Sequence, residues 1–165
     1  MAEIAQHVRA LREGDDAAKT AAAMKLGSIA IINPAHVLIA EAGGIPPLVE
    51  LLRDGSAEAK LEAALALCNL AYNNDVNQVR IAEAGGIPLL VDLLRDGSEE
   101  AQEEAVHALF NLADNNDANA VAIAVLIGLE ALVELARRGS VTVNDESLVH
   151  NAGIAAKRKA ALVVA

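Results

Sequence analysis

One stretch that occurs twice constrains this chain more than anything else in it. Residues 39–56 read IAEAGGIPPLVELLRDGS and residues 81–98 read IAEAGGIPLLVDLLRDGS. The copies stand 42 residues apart and differ at two positions, Pro47 against Leu89 and Glu50 against Asp92. Self-similarity at a fixed period of this length marks a stack of repeats, in which each unit buries its apolar face only against its neighbours. The alternative for 165 residues is one globular core, but Tyr72 and Phe110 are the only aromatic residues. Similar stacked layers can be filled with Leu, Ile, Val and Ala. An Ala- and Leu-rich chain also favours helix over strand.

The period extends in both directions. Placing Ile4 on Ile45 brings Val8, Leu11 and Gly14 onto Val49, Leu52 and Gly55, and Leu26 onto Leu67. Residues 4–40 are thus a diverged first copy, with polar His7 where the next unit has Leu48. The central units each predict three helices, over 35–42, 45–53 and 56–72, then over 77–84, 87–95 and 98–114. Glycine pairs end the first helix of each unit, because glycine enters the left-handed region without a Cβ clash. Pro46 and Pro88 suit a first turn. Ser98 caps the third helix, with Glu99 and Glu100 favoured by its dipole. Asn115, Asn116 and Asp117 break it. A fourth copy predicts helices over 119–127 and 129–138, separated at Gly128. There the pattern fails, and VTVNDESLVHNAGI, residues 141–154, stands as an insertion. The expectation is an all-α solenoid in a single domain, 1–165, with units at about 2–32, 33–74, 75–116 and 117–165.

A short helix, a Gly-Gly-Ile-Pro junction, a second helix, a polar turn and a long third helix of the form E-A-x-x-A-L-x-N-L-A resemble the armadillo repeat. The resemblance lies in AEAGGIPPLVELL with ALALCNLA, and in AEAGGIPLLVDLL with HALFNLA. It covers roughly residues 4–140. It implies a right-handed superhelix of three-helix units. Their third helices line a groove that holds extended peptide segments of other proteins.

Helical spacing separates two stripes on these third helices. Ala63, Leu67, Leu70 and Ala71, repeated as Ala105, Leu109, Leu112 and Ala113, form the core stripe. The other stripe reads Glu62, Leu65, Asn69, Tyr72 in one unit and Glu104, His107, Asn111, Asp114 in the next. In the first unit it reads Ala21, Met24, Ser28, Ile31. Asparagine is a poor helix residue because its amide competes for backbone bonds, yet Asn69 and Asn111 recur at equivalent positions. Each amide has donors and an acceptor. It can therefore hold the backbone of an extended peptide, or act as a strut to the neighbouring repeat. The resemblance to importin-alpha-like members of the family implies the peptide role. Those members also place Trp one turn before the Asn, where this chain has Met24, Leu65 and His107. That departure counts against recognition of a nuclear-localisation signal. The expected peptide-contacting residues are Asn69, Asn111, Glu62, Glu104, Leu65, His107, Tyr72 and Ser28, with the two glutamates able to pair with basic side chains.

Other chemistry finds little support. A net charge of −10 argues against nucleic acid, where a basic face supplies the affinity. His7, His36, His107 and His150 lack metal-ligand spacing, and no phosphate-loop, dinucleotide or zinc-protease motif is present. No cofactor and no catalysis are expected. Cys68 is alone, so it cannot form an internal disulfide, and it reads as a packed thiol. No apolar run is long enough to span a membrane, and no signal peptide is evident. The expected location is intracellular, cytoplasmic by default with the nucleus open. Residues 155–165, hinged by the insertion, predict a homodimer in which this segment covers or swaps onto a second copy. The alternative is a frayed tail on a monomer.

Overall fold

The computed structural model describes residues 2–32 and 35–138. Among the described residues every regular element is an α-helix. The elements are α1 (Ala2–Glu13), α2 (Asp16–Ala30), α3 (Ala35–Glu41), α4 (Ile45–Asp54), α5 (Ala57–Ala71), α6 (Asp75–Glu83), α7 (Gly86–Asp96), α8 (Glu99–Ala113) and α9 (Asp117–Arg138). Helices α3–α5 and α6–α8 are two complete triplets, and their bounds fall within about two residues of those read from the sequence. Helices α1 and α2 match the second and third helices of a unit. Ile4, Val8 and Leu11 are buried, as are their counterparts Ile45, Val49 and Leu52.

The turns explain the spelling of the repeat. The axes of α3 and α4 meet at 80° across Gly43 and Gly44. Gly43 and Gly85 adopt φ of +75° and +83°, where a side chain is strained. The second glycine of each pair answers a different need. A Cβ on Gly44 or Gly86 would lie 2.8 or 2.7 Å from Cγ2 of Ile39 or Ile81. Pro46 occupies the first turn of α4. Oxygens of Asp15, Ser56 and Ser98 accept the amides of Ala18, Ala59 and Ala101, capping the three third helices.

Helices α2, α5 and α8 pack side by side. Their register is matched: Gly27 meets the backbone of Ala66, and small residues such as Ala23, Ala63, Ala64 and Ala105 are fully buried between helices. Leu26, Leu67, Leu70 and Leu112 fill the layers behind them. Among the described residues no single helix is long and apolar enough to cross a membrane. The bent pair α3–α4 has the composition for it, but Ile39, Ile45, Leu48 and Val49 are core residues.

One expectation is corrected. The predicted break at Gly128 is absent, and residues 117–138 form the continuous helix α9. The residue in register with left-handed Gly85 is Ile127, and Glu130 stands where Pro88 stands. A β-branched residue resists positive φ, and Glu retains the N–H that proline lacks, so the helix runs on. The insertion at 141–154 and the segment 155–165 lie outside the described residues.

Candidate functional site

The second stripe of each third helix faces solvent or lies at the edge of the packing. Glu62, Leu65, Asn69, Glu104 and Asn111 are half-buried, whereas Ser28, Tyr72 and His107 are exposed. The α2–α5–α8 register therefore brings the predicted residues into one surface, with Asn69 and Asn111 along its middle. Ser28 differs from the asparagines. Its hydroxyl donates to Met24 O of its own helix at 3.0 Å.

Both asparagines bridge units. Nδ2 of Asn69 donates to Gly27 O at 3.1 Å, and Nδ2 of Asn111 donates to Cys68 O at 3.1 Å and approaches Cys68 Sγ at 3.3 Å. Gly27 and Cys68 occupy matched positions, so the same bond ties α5 to α2 and α8 to α5. The strut role is thus present. It does not exhaust the amide, which carries two N–H donors and an acceptor oxygen. The thiol of Cys68 is pushed up to about 11, first by burial and then by the Glu104 charge, against the bond from Asn111. At neutral pH it is protonated and unsuited to nucleophilic attack.

The starts of α5 and α8 form the acidic side of the surface. Oε2 of Glu62 is buried with no hydrogen-bond partner. Its carboxyl is held above the usual range by desolvation, then by the charges of Glu58 and Glu104. Glu104 lies 4.0 Å from His107 Nδ1. A cation brought to Glu62 would meet an under-satisfied carboxylate with a second one across the helix interface. The other side differs. Ala30, Ile31, His36, Asn69, Tyr72 and Asn73 line a hollow of about 390 Å³ at the ends of α2 and α5. Ile31 is 72% and Tyr72 60% exposed there.

Sequence reasoning missed a second set of asparagines. Asn77 and Asn119 are only 1% and 5% exposed. Nδ2 of Asn77 donates to Leu70 O at 2.9 Å and His36 O at 3.3 Å. Nδ2 of Asn119 donates to Leu112 O at 2.9 Å and Gln78 O at 3.3 Å. Each satisfies a carbonyl in the last turn of a third helix, which has no partner within its own helix, and also reaches the preceding unit. Asn74 and Asn116 cap α6 and α9 by accepting the amides of Asn77 and Asn119, and Asn73 and Asn115 take positive φ in the turns. The signal was the 42-residue recurrence that singled out Asn69 and Asn111. Among the described residues no cluster of His, Cys, Asp or Glu could hold a metal ion; His150 lies outside them.

The sequence model of the armadillo/beta-catenin-like repeat matches residues 36–72 and 74–114, the two complete triplets. These two triplets are armadillo repeats. Solved armadillo-type structures superpose on most of it. An engineered protein is 34% identical, with a TM-score of 0.74 over 94% of this chain and 61% of that one. A designed armadillo repeat protein in complex with the peptide (KR)4 is 32% identical, with a TM-score of 0.73 over 94% of this chain and 63% of that one. A further designed armadillo repeat protein is 30% identical, with a TM-score of 0.73 over 93% and 63%. The present chain thus spans less than two thirds of each of these armadillo-type chains. No curated protein matches its sequence.

Proposed function

We propose that this armadillo chain is a non-catalytic scaffold that binds an extended peptide carrying basic residues along α2, α5 and α8. The observation that carries the reading is Glu62, whose buried Oε2 lacks a partner and whose carboxyl resists ionisation, first through desolvation and then through the charges of Glu58 and Glu104. A lysine or arginine would satisfy the oxygen and relieve the repulsion. The designed neighbour in complex with (KR)4 supports the same chemistry. Asn69 and Asn111 would hold the peptide backbone through the amide atoms left over from their inter-unit bonds.

The test is anisotropy titration of fluorescent (KR)4, at about 50 mM and about 500 mM salt, against the wild type and Asn69→Ala/Asn111→Ala. Asn69→Ala removes one partly buried bond and Asn111→Ala removes the bond to Cys68 O with the contact to its Sγ, at about 1 kcal/mol per bond, so the variant should remain folded. The expected result is saturable, salt-sensitive binding that the double variant loses. Unchanged binding by a destabilised double variant would make the asparagines struts alone.

A homodimer is retained as a second reading because α8 exposes Phe110 and Val106, 72% and 45% accessible. In register with them, Cys68 and Ala64 are covered by the next third helix. Residues 155–165, on which the expected exchange depends, lie outside the described residues.

A further inference from the structure

We infer that the groove is two-sided, and that its ligand places long cations and apolar side chains on opposite sides of one extended backbone. This rests on the peptide-binding reading and goes beyond it by naming the pattern recognised. Three observations converge on it. The acidic side, Glu62 and Glu104, stands at the starts of α5 and α8. The apolar hollow of Ile31 and Tyr72 stands at the ends of α2 and α5. Asn69 lies between these sides on α5 and itself lines the hollow.

Helix geometry sets the reach on each side. Seven residues separate Asn69 from Glu62, roughly 10 Å at 1.5 Å per residue, whereas Tyr72 is about 4.5 Å along the axis in the other direction. A backbone seated over the Asn69–Asn111 row can reach Glu62 only with a long side chain. Lysine or arginine has that length, and its stem would lie on half-buried Leu65. A short apolar side chain suffices for the hollow. Successive side chains of an extended peptide point to opposite sides, as this division requires. The hollow sits at the α2–α5 junction and the glutamate pair at α5–α8. Packed helices are about 8–10 Å apart, which is about three extended residues at roughly 3.3 Å each. Three is odd, so the two side chains fall on opposite faces.

The experiment compares three fluorescent octapeptides: alternating Leu-Arg, its block isomer of four Leu followed by four Arg, and (KR)4. Titrations use the wild type and Ile31→Ala/Tyr72→Ala. Both substituted side chains are largely exposed, and a thermal melt confirms that the variant folds. The expected result is that the alternating peptide binds at least tenfold tighter than the block isomer. The variant should lose most of that advantage, the ratio of alternating to block affinity falling towards one. Equal binding of alternating and block peptides, with (KR)4 still bound, overturns the two-sided groove and leaves the basic-peptide reading standing. Failure of all three to bind overturns both.

Discussion

Glu62 shows what the proposed binding surface costs the fold at the level of one residue. Its folded carboxyl titrates above its ordinary value, so the folded state takes up a proton more readily than the unfolded one. Stability linked to this group is therefore present below the unfolded value and falls as pH rises through the raised folded value. Glu62→Gln should raise the melting temperature at pH 7, and that gain should shrink as the buffer is acidified into the carboxylate range. Circular-dichroism melts at stepped pH check this; a gain independent of pH would locate the strain elsewhere. The ligand dependence runs the other way. A cation favours the ionised carboxylate, so the affinity of (KR)4 for the wild type should rise with pH through the same window and then level off. The Glu62→Gln variant should lack that rise. Stability and binding thus make opposed demands on one oxygen, a common trade at functional positions.

At the scale of elements, the junction between first and second helices decides whether a unit bends. Gly85 supplies the left-handed residue, Gly86 the space beneath Ile81, and Pro88 a start without a donor. α9 has Ile127 and Glu130 at the first and third of these positions and does not bend. Ile127→Gly with Glu130→Pro should break it there. Hydrogen exchange would then become fast for amides near residues 127–131, while those near 120–125 stay protected. Slow exchange throughout would show that the bend needs packing from elsewhere. This junction also marks how far the sequence could be read. Caps, glycine stops and apolar stripes are local signals, so the helices of the two complete triplets were legible to within a residue or two. The unbroken α9 was legible too, had Ile127 been weighed at the glycine position rather than Gly128 beside it. The glutamate and asparagine positions followed from helical spacing. Their environments did not, because the orphaned Glu62 oxygen and the Gly27 partner of Asn69 depend on the neighbouring unit. Asn77 and Asn119 read only as the first residues of predicted helices, because their bonds run to carbonyls seven residues back and to another unit.

Across the whole molecule each unit depends on the next for cover, and α8 is where the described third-helix stack stops. If the exposed Phe110 and Val106 face joins two copies, light scattering across a concentration series should give twice the chain mass at tens of micromolar. Phe110→Asp should return it to one, with little change in the melting temperature of a residue so exposed. A single-chain mass for the wild type throughout would sink the dimer. The contacts between units carry a different consequence. Asn69 and Asn111 stitch successive third helices, while Asn77 and Asn119 tie α6 to α3 and α9 to α6. Two lines of stitching along different helices hold each step of the stack against both tilting and stretching. The repeat distance is then a property of the empty protein, and under the proposed peptide-binding reading the molecule works as a graduated rule. A ligand whose own side-chain rhythm is slightly off falls further out of step with every unit it crosses, so length of match sharpens selection where no single contact is strong.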